Sequence, residues 1–479
     1  MLNYILSILK PFRAEFKNFR AYHWFVVIIV GFMLRTDQLG VTDVIRALAL
    51  APECYDSMIR FFRASSWELY SLRVVWCQTV AKRIPLFRVN GQPVLIGDET
   101  IQPKEGRRMP GVKRYHQHSQ SQSKPATVWG HMFGCTAVLT DSETNPAALP
   151  LLMTLHGGMQ SAADWDEANV STESHVVQTA QEICAAAKCM GEDCYTLLDR
   201  YFLSLPFLRI IKEWNEKCQQ KVWVITRAKR NVVAYEKAPE RPIGKRGCNR
   251  KKGDKVIVSD LFEERTSAFV SATVEIYGRQ QELKYLSVDL LWGRGLYMPV
   301  RFVLVCYGLT RGILVSTDLT LPPTEIIRLY GYRIKIEGTF RAMKHVIGTM
   351  AYHFWSKAMD KINHFCKQTD ADPLDTASSP EDRMKIIRTL RAIEVYVLLS
   401  CIAMGILQGI SVEYERGKFT GKLRYQRTPA RKRPSEANIK AYLGHIFFVH
   451  LSQEPQHELT QIIREKQSGN NNHIRPDVA

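Results

Sequence analysis

The sequence predicts an α/β protein: a mixed sheet with helices on both faces, interrupted by a β-rich insertion and flanked by helical amino- and carboxy-terminal regions. Three observations predict it. From about residue 90, strand-length apolar runs alternate with helical ones in the order β-β-β-α-β-α-β, closing near Thr226. From about 238 to 302 the alternation gives way to consecutive strands. Outside these limits the periodicity is helical, with few turn signals.

Residues 1–89 form the first region. Basic and aromatic residues interleave there (Phe12, Arg13, Phe16, Lys17, Phe19, Arg20), and 41–48 followed by 54–62 could form a helix-turn-helix suited to DNA. A plain helical subdomain accounts for the same pattern. The apolar runs 24–34 and 395–407 fall short of the roughly 20 residues that cross a bilayer, and are expected as buried helices. The basic, apolar stretch 1–10 is followed by no small-residue cleavage site, so no secretory leader is expected.

The second region, 90–237, supplies the alternation. Pro93 to Ile96 leads into Asp98, which is expected to end that strand; 109–127, rich in Gly, Ser, Gln and basic residues, reads as a loop; 131–139 and 148–156 read as strands, and 174–190 as a helix. A short apolar strand, 194–198, ends at Asp199; a helix runs to about Glu216, and 221–226 is the last strand. This order is that of the ribonuclease-H-like fold. The insertion, 238–302, opens with a Gly/Pro/basic stretch, 241–255, and continues as strands at 255–258, 266–276, 283–291 and 297–307. In the fourth region, 303–368, Pro322 and Pro323 start a helix that Gly331 and Gly338 weaken. A linker, 369–380, leads into a carboxy-terminal region, 369–479, of long helices with a basic run at 416–433.

Composition narrows the partners. The chain has 479 residues, room for about three domains, with 65 Lys+Arg against 47 Asp+Glu, a formal net charge of +18 and a pI near 9.4. Such an excess points to a polyanion, because neutralising phosphates releases counterions; ribosome or membrane-surface binding satisfies the charge alone. Eleven scattered cysteines suit reduced thiols better than a disulfide framework. Cys184, Cys189 and Cys194 recur every five residues, but no His or Cys pair completes a zinc site.

The chemistry concentrates on one helix. Tyr330, Arg333, Glu337 and Lys344 are spaced i, i+3, i+7 and i+14, which at about 100° per residue brings them within about 60° of one another. Beside them runs the apolar stripe Leu329, Ile336, Phe340, Met343 and Ile347. The strip offers one carboxylate for a divalent metal, with two cations and a phenol for phosphate. A solvated face with an incidental Glu–Arg pair is the plainer reading.

The spacing Tyr330-x2-Arg333-x3-Glu337-x6-Lys344 resembles, position for position, the Tyr-Arg-Glu-Lys signature of bacterial insertion-sequence transposases with a DDE active site. Two upstream segments are similar to that family's aspartate motifs: Val94-Leu95-Ile96-Gly97-Asp98, and Tyr195-Thr196-Leu197-Leu198-Asp199 followed by Arg200-Tyr201-Phe202. The family also carries a β-rich insertion at this point in the order. Two departures stand out: many relatives have Trp after the signature Arg where this chain has Ile334, and Tyr332 competes with Tyr330 for the hydroxyl role. Glu99 rivals Asp98 but is expected to point to the opposite side of the strand.

The resemblance covers about 90–350 and implies a DNA transposase acting by two-metal phosphoryl transfer. Asp98 and Asp199 would bridge two Mg²⁺ (or Mn²⁺) ions, Glu337 would complete one site, Arg333 and Lys344 would clamp phosphates, and Tyr330 would add a hydrogen bond. The implied partners are double-stranded DNA, both element ends with inverted repeats and target, and a second copy of the chain; no membrane role is implied. The implied location is the cytoplasm, at the nucleoid. Arg227, Lys229 and Arg230 follow a strand that should end near the aspartates, so they either contact phosphates or form a solvated loop. Trp292 either stacks on a flipped base, as a Trp does in hairpin-forming relatives, or packs in the core. A transposase-derived DNA-binding protein without catalysis, or a nuclease on the same fold, remain as alternatives.

Overall fold

The computed structural model describes residues 1–37, 40–116, 127–142, 145–156, 174–240, 249–276, 278–363, 377, 379–419 and 432–468. The expected linker 369–380 and basic run 416–433 fall largely outside these residues, as do most of the loop 109–127 and of the basic stretch 241–255. The chain opens with helices α1 (Leu2–Leu9), α2 (Phe19–Leu34), α3 (Thr42–Ala47), α4 (Cys54–Arg63) and α5 (Leu69–Arg83). Strands β1 (Arg88–Val89), β2 (Gln92–Pro103), β3 (Lys113–His116), β4 (Thr127–Leu139) and β5 (Ala148–His156) follow. Next come α6 (His175–Met190), β6 (Cys194–Leu197), α7 (Leu205–Lys217) and β7 (Val222–Arg227). A β-rich segment holds β8 (Val233–Tyr235), β9 (Lys255–Ile257), α8 (Leu261–Glu264), β10 (Val270–Ile276), β11 (Arg279–Trp292), β12 (Met298–Tyr307) and β13 (Thr310–Ser316). Helices α9 (Pro323–Gly331), α10 (Lys335–Ala342), α11 (Pro380–Glu415), α12 (Glu436–Gln453) and α13 (Glu458–Gln467) complete the chain.

The strands form one large mixed sheet with flanking helices, consistent with a ribonuclease-H-like fold. Its first half runs β5-β4-β2-β6-β7, antiparallel from β5 to β2 and parallel from β2 to β7. An Asn90-Gly91 turn with both φ positive joins β1 to β2, the geometry a tight hairpin requires. Beyond β7 the sheet continues antiparallel through β13, β12 and β11, so the β-rich segment extends the core sheet. The boundary expected at 302 falls inside β12, and the added strands run to Ser316.

This extension has apolar residues on both faces. On β12, Val303 joins the main core, whereas Phe302 and Leu304 join a second cluster with Val258, Phe262, Ile313 and Val315. Alternation along one strand therefore serves two cores at once.

The helical ends do not pack as separate bodies. The main buried core takes in residues from Leu2 to Ile463, and α11, buried along most of its 36 residues, packs on β5, α2, α4 and α12. By length and composition α11 could cross a membrane, but its most apolar window is wholly buried, as the run 395–407 suggested; α2 is likewise buried over most of its length. Helices α3 and α4 lie where the helix-turn-helix was expected, yet Met58, Phe61 and Phe62 of α4 are buried, Phe62 against Phe354 and Tyr396. The nine described cysteines are free thiols.

Candidate active site

Strand register brings the two aspartates together. Val94, Leu95 and Ile96 of β2 pair in parallel with Tyr195, Thr196 and Leu197 of β6. Asp98 and Asp199 each stand two residues beyond the last pair, at matching heights on strands that lie about 4.8 Å apart. Gly97 permits this approach: a Cβ there would come within 2.7 Å of Leu198 Cδ2 and 3.0 Å of Ile183 Cδ1. On the far side of β6, the Leu198 N–H donates to the Ile225 carbonyl at 3.0 Å and the Thr226 hydroxyl to the Asp199 carbonyl at 2.9 Å, so β7 fixes the Asp199 backbone.

One expectation needs correcting. Asp98 does not end its strand: β2 continues to Pro103, because its antiparallel ladder with β4 persists after the parallel ladder with β6 stops at Ile96. Asp98 thus sits on a strand anchored from one side and open on the other. Burial pushes its carboxyl up to about 6, against the opposing pull of Arg333 and of the Glu99 backbone N–H, which donates to Oδ1 at 2.9 Å. Asp199 is close enough to push in the same direction as burial.

The signature residues lie on a segmented run, not on one regular helix. α9 ends at Gly331, a 3₁₀ turn spans Tyr332–Ile334, α10 follows, and a π-turn, Met343–Ile347, closes on Gly348 in the left-handed conformation. Low glycine propensity and the tighter and wider turns displace the residues from ideal helical phase. Arg333 Nη2 donates to Asp98 Oδ2 at 2.7 Å, and Nη1 donates to Glu337 Oε1 at 3.0 Å. Although burial opposes its charge, Arg333 is held above its usual range by Asp98, Asp199, Tyr330 and Glu337. Tyr330 is half-buried beside it, whereas Tyr332 packs edge-on against Phe87 and partners Arg328. Ile334 is exposed.

Lys344 departs from the expected cluster. Its ammonium donates to Thr100 Oγ1 at 2.8 Å and to the Ile101 carbonyl at 3.2 Å, one step along the same face of β2 as Asp98. Burial lowers its pKa. In this arrangement Lys344 tethers the run to β2, while Arg333 bridges Asp98 and Glu337.

Glu99 points away from Asp98, as pleating requires. It accepts from His175 Nδ1 at 2.8 Å and from the Thr179 hydroxyl at 3.1 Å, both on α6. His175 Nε2 in turn accepts from the Tyr201 hydroxyl at 3.0 Å, with the rings stacked. His175 and Tyr201 thus link the segments that follow Asp98 and Asp199. Sequence reasoning missed this link; the only local cue was a histidine directly after Ser174 at a helix start.

The remaining candidates are more peripheral. Arg227, Lys229 and Arg230 are exposed at the end of β7, next to the Thr226–Asp199 bond. Trp292 is half-buried at the end of β11 and packs against both hydrophobic clusters. Among the described residues no three His, Cys, Asp or Glu side chains converge as a ready-made metal site. The donor chemistry still suits a hard divalent ion, since the acidic groups offer only carboxylate oxygens and Asp98 is half-buried beside a balancing cation.

No curated protein matches the chain. Two family descriptions do: DDE superfamily endonuclease over residues 11–185, which includes Asp98, and Transposase DDE domain over 151–353, which includes Asp199 and Glu337. Together they run from residue 11 to 353 and support a DDE-type transposase or a nuclease of the DDE superfamily.

Proposed function

We propose that this chain is a DDE transposase that cuts DNA at the ends of an insertion element and joins it to a target, with Asp98, Asp199 and Glu337 as its catalytic carboxylates. One observation carries the reading: two aspartates stand at matching register on neighbouring parallel strands, and Arg333 bridges one of them, Asp98, to Glu337 on the facing helical run. Asp98 and Asp199 would hold divalent metal, Mg²⁺ or Mn²⁺, and Glu337 would join from α10. When bound, two such ions activate the attacking oxygen and neutralise the leaving one.

The chain's own residues then have distinct work. Arg333 would grip a phosphate next to the scissile bond, with Tyr330 adding a hydrogen bond. Lys344 would keep the helical run seated on β2, where its ammonium bonds Thr100, two residues along the strand from Asp98. Arg227 and Lys229 would contact the backbone flanking the cut, and Trp292 would meet an unpaired base at the sheet extension. Paired element ends with inverted repeats imply a homodimer on DNA and a location at the nucleoid.

Purified protein, Mg²⁺ and a plasmid carrying the element ends provide the test. A transposase yields products joined to target DNA. Hydrolysed ends alone would favour a nuclease on the same fold, and intact DNA that is nonetheless bound would favour a non-catalytic DNA-binding protein.

A further inference from the structure

We propose that Arg333 is the resident counter-cation of the carboxylate site: it competes with divalent metal for Asp98 and Glu337, and DNA opens the site to metal by drawing the guanidinium onto a phosphate. The inference rests on the metal-binding reading of those carboxylates.

Four features support it. A single guanidinium spans both carboxylates, 2.7 Å from Asp98 Oδ2 and 3.0 Å from Glu337 Oε1. Asp98 Oδ1 accepts the Glu99 N–H and Oδ2 is held by Arg333, so both oxygens are engaged and a metal gains Oδ2 only when the guanidinium leaves. A guanidinium and a divalent ion cannot share it without strong repulsion at close range. Arg333 Nε is buried with no hydrogen-bond partner among the described residues, so the group keeps a donor in reserve for another acceptor. Finally, Arg333 sits on the 3₁₀ turn between α9 and α10, none of whose residues belongs to the buried core, and the Glu337 side chain is 54% exposed, so Glu337 can swing away from the guanidinium at little cost.

A phosphate is the acceptor this arrangement awaits, because it takes two guanidinium donors at once. With Arg333 transferred to it, Asp98 and Glu337 lose their shared cation and metal binding becomes favourable. Metal and DNA should therefore bind cooperatively, each tightening the other by the same factor.

Mn²⁺ binding to the full chain, followed by the spin-resonance signal of free Mn²⁺, tests this without any cleavage. Wild type should bind Mn²⁺ about tenfold or more tightly with a DNA duplex than without. Arg333→Ala should bind Mn²⁺ tightly without DNA and gain little from adding it. Arg333→Gln, which keeps bulk but not charge, should behave in the same way and stands in if the alanine variant does not fold. If both variants bind Mn²⁺ no better than wild type while Asp98→Ala abolishes binding, the metal reading stands and the counter-cation role is wrong. If Asp98→Ala binds Mn²⁺ as wild type does, the metal reading itself fails and takes this inference with it.

Discussion

Asp98 and Asp199 share a register: each stands two residues past the parallel pair Ile96–Leu197, and Gly97 is the residue that lets their strands and α6 close up beside them. The relationship makes the aspartates a product of backbone geometry before any side chain is considered. Gly97→Ala should therefore disturb both fold and site. Its Cβ would meet Leu198 Cδ2 at 2.7 Å, an overpacking that costs about 1–3 kcal/mol. Urea unfolding should move by that amount, and cleavage should fall by more than the loss of folded protein explains. Equal losses would mean that strand separation does not tune the site.

A second prediction concerns the end of the signature run. Arg35, fully buried at the end of α2, donates to the carbonyls of Ile347 and Gly348 and to the Tyr396 hydroxyl, with Asp43 at 3.7 Å. Lys440 of α12 donates to the Val346 carbonyl beside it. Two cations from opposite chain ends thus cap one helix terminus, where carbonyls lack partners. Arg35→Ala should destabilise by about 3–5 kcal/mol, since it strands a buried carboxylate and the carbonyls. An unfolding midpoint within about 1 kcal/mol of wild type would show that this cap does not hold the run.

A third prediction is a pH dependence of stability. His131 is buried; its Nε2–H donates to the Pro110 carbonyl at 2.9 Å, and its Nδ1 accepts from the Tyr352 hydroxyl at 2.6 Å, which requires the neutral ring. Burial, reinforced by Lys104, lowers its pKa to about 3. The unfolded imidazole titrates near about 6.5, so its contribution is complete above that pH. Below it the unfolded state takes up the proton, and stability should fall by up to about 1.4 kcal/mol per unit towards pH 3. His131→Gln should be less stable throughout but should lack this slope between pH 6.5 and 5. Unfolding curves with unchanged slope would reject the assignment.

A fourth prediction separates DNA anchoring from chemistry. Arg227 and Lys229 are exposed at the tip of β7, next to the backbone that holds Asp199. Replacing both by alanine should weaken DNA binding and lower the salt slope by about two, while leaving sequence preference intact. A salt slope equal to wild type would make them a solvated loop.

Much of the sheet was legible because periodicity is local. The strand at 148–156 and the helix beginning near 174 lie where apolar spacing predicts them, and apolar runs ending at aspartate single out residues 98 and 199. What escaped depends on long-range packing. The apolar run 395–407 indicated a buried helix but not that it would pack on β5, α2, α4 and α12, and the Arg35–Ile347 contact joins residues 312 apart in sequence. β13 was visible in principle, as Ile313-Leu314-Val315 follow a glycine turn, but its place beside β7 was not. The phase argument set Lys344 with Glu337, whereas the 3₁₀ and π turns carry it to Thr100.

The central claim is that Asp98, Asp199 and Glu337 do the chemistry. It is tested most directly by cleavage of end-bearing plasmid with each residue changed singly to alanine. Each variant should keep its unfolding midpoint and, with no divalent metal present, its affinity for end DNA, because a carboxylate without metal repels phosphate, and each should leave cleavage at no more than a few per cent of wild type, the scale expected when a metal-binding, charge-stabilising group is lost. Cleavage above that level in any one variant would remove that residue from the active site.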